Sequence, residues 1–170
     1  MSSPAFAFPD HAYLPGLTPR HDEALFAAVK AAAPVPTRSE AAEDNLAWRH
    51  GLDLFAAGYF WEAHEVLEAV WMNAAPNSAE KHVVQGVIQL ANAALKCRMG
   101  RANAATRLTA LARDAFARVP EDRVVMGLSV ARLRAAAAEA DLTDWPHQAA
   151  ALEAADMMQH NAQLPEYFRN

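Results

Sequence analysis

The stretch FWEAHEVLEAVW, Phe60 to Trp71, places Glu62, His64, Glu65 and Glu68 among large apolar residues. Carboxylates and an imidazole that share a cleft can have their proton affinities pushed apart by burial and by each other's charge, which is the requirement for general acid/base work. At about 100° per residue His64, Glu65 and Glu68 fall in one sector of a helix, while Phe60, Ala63, Val66, Leu67 and Val70 take the neighbouring one. The polar cluster therefore lies beside the core. His64 and Glu68 stand four residues apart, so they could chelate one divalent cation with Glu65 or His21 as a further ligand. HEVLE is not HExxH, however, and the second histidine of a hydrolytic zinc helix is missing, so no metal ligand set or cofactor is assigned. Glu62, His64, Glu65 and Glu68 stand as the catalytic candidates. The competing account is structural: Glu62 and Glu65 sit in the first turns, where negative charge suits the helix dipole, and a single histidine is more often a hydrogen-bonded core residue than a ligand.

A second element carries a different chemistry. In VVQGVIQLANAALKC the side chains of Gln85, Gln89, Asn92 and Lys96 project within about 60° of one another, and nearly every other direction is apolar. Ordinary solvent faces favour Glu, Lys and Arg, whereas carboxamides supply donors and acceptors in fixed geometry. Arg20, His21 and Trp71 complete the set expected to line a common cleft with these amides and the acids of the preceding helix. Three functions suit such a cleft. It binds a small molecule, which is the first reading; it is a metal-dependent or acid/base hydrolase using His64, Glu65 and Glu68; or it is a buried polar network that only fixes how helices pack.

The elements that must position these groups are helices. After Thr37 the chain is rich in alanine and leucine at helical spacing, and Gly58, the loop APNSAE, Gly100, Pro120 and the segment from Asp141 to Pro146 divide it. Helices are expected near Ser39 to Ala57, Tyr59 to Asn73, Ala79 to Met99, Ala102 to Val119, Glu121 to Ala140 and Pro146 to Asn161, the last capped by Asp144, with LPEYF folding back behind it. No convincing strand remains. Short links make successive helices antiparallel, so the fold class is all-α, an up-and-down bundle of about six helices. Residues 1–38 form an extended proline-rich arm whose Phe6, Phe8 and Tyr13 argue for packing on the body, with a short helix capped by Thr18 or Asp22 running to about Ala33. Residues 39–170 form the single bundle domain.

Composition narrows the class further. With 170 residues, 53% hydrophobic, 21% charged and a net charge of −5, the chain is an ordinary globular domain large enough for one core. Cys97 is the only cysteine and reads as a small core residue, which with the absence of a signal segment or a bilayer-length apolar run points to the cytoplasm and away from membranes. Between Arg98 and Arg134 eight arginines face three acids, against seven bases and seventeen acids elsewhere. That basic part reads as an anion surface, a solvated face or a self-association surface. The acidic total and the lack of interleaved aromatics argue against nucleic acid. A homo-oligomer stays open, because no heptad seam specifies one. Trp48, Trp61 and Trp71 read as core or cleft walls, and His50 with Asp53 as a surface pair.

HGLDLFAAGYFWEAHEVLEAVW, His50 to Trp71, followed by QGVIQLANAALKCRMG, Gln85 to Gly100, resembles the uncharacterised helical family called domain of unknown function 309. The matching positions are Gly51, Leu54, Phe55, Gly58, Phe60, Glu62, Ala63, His64, Glu65, Leu67, Glu68 and Trp71, then Gly86, Ile88, Gln89 and Gly100. The arm YLPGLTPRHDE is similar to the N-terminal extension of some bacterial members at Pro15, Gly16, Arg20 and His21. The resemblance implies an all-α bundle, and metal-dependent hydrolase is a label attached to some relatives. Family members often carry His where this chain has Lys96, and an ammonium there would repel a metal.

Overall fold

The computed structural model describes residues 6–139. The helix expected at Pro146 to Asn161, its Asp144 cap and the LPEYF fold-back lie outside the described residues. Helices α1 (Ala27–Ala31), α2 (Leu46–Ala56), α3 (Phe60–Asn73), α4 (Ala79–Arg98), α5 (Ala102–Ala117) and α6 (Val130–Glu139) follow in order, with a hairpin of β1 (Val124–Val125) and β2 (Leu128–Ser129) before α6. Each of α2 to α5 packs on its successor and α6 returns onto α5. The architecture is the expected all-α bundle.

Two expected helices are shorter than their apolar spacing suggested. The one expected from Ser39 breaks into a 3-10 turn at Ser39–Ala41 and then α2, because the Asn45 carboxamide oxygen accepts from Trp48 N–H at 2.9 Å and caps a new start. The one expected from Glu121 begins with a hairpin, which corrects the expectation of no strand. Met126 and Gly127 both take positive φ, 54° and 76°, as a two-residue turn between antiparallel strands requires. A methionine there costs about 1–2 kcal/mol. It is held because Trp48 Nε1 donates to Met126 O at 3.0 Å, Met126 N–H donates to Ser39 Oγ at 3.1 Å, and its side chain is fully buried.

Trp48, Leu54, Phe60, Leu67, Leu90 and Phe116 are the large members of the core, each at most 2% exposed. Helices α4 and α5 approach closely at Gly86, where a Cβ would stand 2.2 Å from Phe116 Cε1. The corner between α2 and α3 turns at Gly58, and Arg98 from the end of α4 donates to Gly58 O at 2.5 Å while its guanidinium lies 4.4 Å from the Phe60 ring centre. This ties the last turn of α4 to the first turn of α3. The arm crosses α2 and α3 through ring edges: Phe6 and Phe8 against His50, Phe8 against Tyr59, and Tyr13 against Trp61 at 5.0 Å. Asp22, not Thr18, caps the 3-10 turn Glu23–Phe26 that leads into α1; Thr18 instead closes a turn with Leu14 N–H and Ala12 O. Among the described residues no helix is long and apolar enough to cross a membrane.

Candidate functional site

Helix α3 presents three sides. Phe60, Ala63, Val66, Leu67 and Val70 face the core, as the spacing requires, and Glu62 is buried with them at 0% exposure. One Glu62 oxygen, Oε1, accepts from Tyr13 N–H at 2.5 Å and from His21 Nε2 at 2.8 Å. A carboxylate offers only lone pairs, so His21 donates. The other oxygen, Oε2, is buried and has no partner among the described residues. His21 is itself nearly enclosed, its side chain 6% exposed, with His11 stacked at 4.5 Å and Trp61 and Phe26 at its edges.

On the same side, Glu65 forms an ion pair with Lys30 of α1 at 2.9 Å. Lys30 was not singled out in the sequence, since nothing local marks a lysine whose partner lies 35 positions away. Arg20 stays exposed, 5.7 Å from the Trp61 ring centre and 3.7 Å from Glu23. The expected single cleft is thus divided. His21 and Glu62 meet, Arg20 lies over the adjacent Trp61, and Glu65 is taken up by α1.

The remaining candidates lie along the other edge of α3 and on α4. Gln85, Gln89, Asn92 and Lys96 are all half-buried, whereas Val83, Val84, Gly86, Val87, Ile88, Leu90, Ala91, Ala93, Ala94 and Leu95 between them are buried, so the amide stripe is the outward edge of an otherwise enclosed helix. Lys81 begins the same stripe, four residues before Gln85. Its Nζ stands 3.9 Å from the Trp71 ring centre and donates to Trp71 O at 2.7 Å, which places the stripe beside the α3 edge that carries Trp71. His64, seven residues earlier, falls on that edge, half-buried, with Glu68 exposed next to it. Trp71 Nε1 and Gln89 Oε1 are buried without a partner among the described residues. Among those residues His64, Glu68, Gln85, Asn92 and Lys96 make no side-chain hydrogen bond or ion pair, so this seam is where unused polar capacity gathers. The Lys81 contact on Trp71 is a neighbour of the stripe that the sequence reading does not include; the i,i+4 step from Lys81 to Gln85 is the available signal.

Other groups settle into structure. His50, read as a surface partner of Asp53, is buried beneath Phe6 and Phe8, and burial lowers its proton affinity below the usual histidine value. His82 is lowered by burial and then by the positive charge of Arg118. Burial raises the Cys97 thiol, as a partly enclosed cysteine requires. Several of the clustered arginines serve helix ends. Arg134 donates to Val119 O at 2.6 Å and to Phe116 O, and Arg113 to Ala137 O at 2.8 Å, covering carbonyls that a helix terminus leaves open. Among the described residues no group of three or more His, Cys, Asp and Glu is arranged to hold a metal ion.

The fold and the seam define an all-α bundle whose central hairpin, α3 with α4, carries a polar edge. Residues 48–108, from α2 into α5, match the family model described as Domain of unknown function (DUF309). No curated protein and no solved structure matches the chain.

Proposed function

We propose that the protein binds a small polar ligand along the seam between α3 and α4, from Trp71 to Lys96. The observation that carries this reading is a pair of buried groups on the seam with no partner among the described residues, the Trp71 Nε1 donor and the Gln89 Oε1 acceptor. Each such group costs about 1–3 kcal/mol when left without a partner. A ligand that supplied both partners would recover that free energy on binding, and the half-buried carboxamides of Gln85 and Asn92 would orient it. The hydrolase alternative draws on the same seam only through His64 and Glu68, since Glu65 is engaged by Lys30.

A second reading, a polar network that fixes packing, is favoured at one place. Both donors to Glu62 come from the arm, so Glu62 and His21 act as a latch holding residues 6–22 on α3.

The test is an NMR titration of isotope-labelled protein with a chemically mixed library of small metabolite-like compounds. Amide shifts confined to residues 64–71 and 81–96 support the reading; the absence of any binder, or shifts confined to other helices, overturns it. Replacing Gln89 by Leu provides an independent check. It removes an unsatisfied acceptor, so the free protein should gain about 1–3 kcal/mol while binding is lost. A loss of stability of that size would show that the acceptor is already satisfied.

A further inference from the structure

Taking the ligand reading as its basis, we infer that the seam takes a small carboxylic acid that also carries an O–H or N–H donor a few bonds from the carboxylate. Two observations point to that class. Gln89 Oε1 lacks a donor among the described residues, so the ligand atom facing it carries a hydrogen. Lys96, half-buried on the same stripe, has no acidic partner among the described residues, so the ligand brings the negative charge.

The spacing joins the two requirements. Helical side chains lean towards the N-terminus, so Lys96 in that ordinary direction would reach back over Asn92 towards Gln89. Seven residues of helix rise about 10 Å, and a lysine side chain covers roughly half of that, leaving room for a ligand a few bonds long. A carboxylate between the Lys96 ammonium and the Asn92 amide hydrogens would then place its neighbouring hydroxyl or amide N–H at Gln89. The dipole of α4 by itself favours a cation in its last turn, but it gives no reason for the carboxamides that lead up to it. The first turn of α3 lies against the last turn of α4 through Arg98 and Phe60, so opposed helix ends meet there and the lysine decides the sign of the charge accepted. A single ammonium flanked by amides suits a monoanion, whereas a phosphate dianion is better served by arginine forks or the N–H groups of a helix start.

The probes are glycolate and N-acetylglycine, their neutral counterparts glycolamide and N-acetylglycinamide, and inorganic phosphate, each titrated into the labelled full chain. The acids should shift the amides of residues 81–96 and bind at least roughly tenfold more tightly than the neutral amides, one charge-assisted hydrogen bond's worth. Lys96→Met should erase that difference with the melting temperature unchanged, and Lys96→Gln serves as the folded control. If the neutral amides or phosphate bind the seam as tightly as the acids, or if Lys96→Met leaves the preference intact, the carboxylate assignment fails while ligand binding stands. If none of the probes nor the mixed library binds, both fail.

Discussion

Replacing Glu62 by alanine tests whether the arm is held by one carboxylate. Oε1 is the acceptor for Tyr13 N–H and for His21 Nε2, so truncation leaves two donors from the arm without an acceptor in a largely enclosed place. At about 1–3 kcal/mol for each of the two stranded donors the expected loss is about 2–6 kcal/mol. Glu62→Gln keeps a carbonyl oxygen for the same two donors and forfeits only the charge assistance, so it should cost about 1–2 kcal/mol. Urea unfolding measures both values. Hydrogen exchange at the Tyr13 amide, together with native trypsin cleavage after the exposed Arg20, reports whether the arm itself has been released. The reasoning fails if Glu62→Ala costs less than Glu62→Gln, or if global stability falls while Tyr13 stays as protected as in the parent, because the carboxylate would then be supporting α3 and not the arm.

Two further outcomes follow from the packing and the buried rings. Gly86→Ala drives a methyl group to 2.2 Å from the Phe116 ring, so α4 and α5 must separate; a loss of about 1–3 kcal/mol is expected, partly restored by Phe116→Leu, and an unchanged unfolding midpoint would refute the close approach. For pH, burial lowers His50 below its ordinary value of 6.5, so the unfolded chain binds the proton more readily. The stability this group contributes is present above about pH 6.5 and is lost as pH falls towards its lower folded value. His82 acts in the same direction. Urea midpoints between pH 7.5 and 5 should therefore fall, and His50→Gln should flatten part of that slope; a variant with the full slope would remove His50 from the account.

Much of the fold was legible from local rules. Ser78, within the loop APNSAE, caps α4, Gly58 and Gly100 stand at helix ends with positive φ, and the spans of α3 and α4 agree with their breakers to within a residue. The amide stripe was equally legible, because one helix and its 3.6-residue period decide which side chains share an edge. Two features were not. Asn45 begins a new helix inside an alanine-rich run, and Met126 takes a left-handed turn that no propensity favours; both depend on Trp48, whose backbone and indole hydrogen bonds go to them.

By itself the sequence determined which faces are apolar, where helices stop, and that Gln85, Gln89, Asn92 and Lys96 form one ridge of α4. Those are consequences of periodicity and capping, which act over a few residues. Only the tertiary structure decided which ridge meets which: Glu62 with His21 across 41 positions, Glu65 with Lys30 across 35, and Lys81 over Trp71. The physical reason is that a helix displays several polar edges at once, and the neighbour that covers each is selected by how the whole core packs.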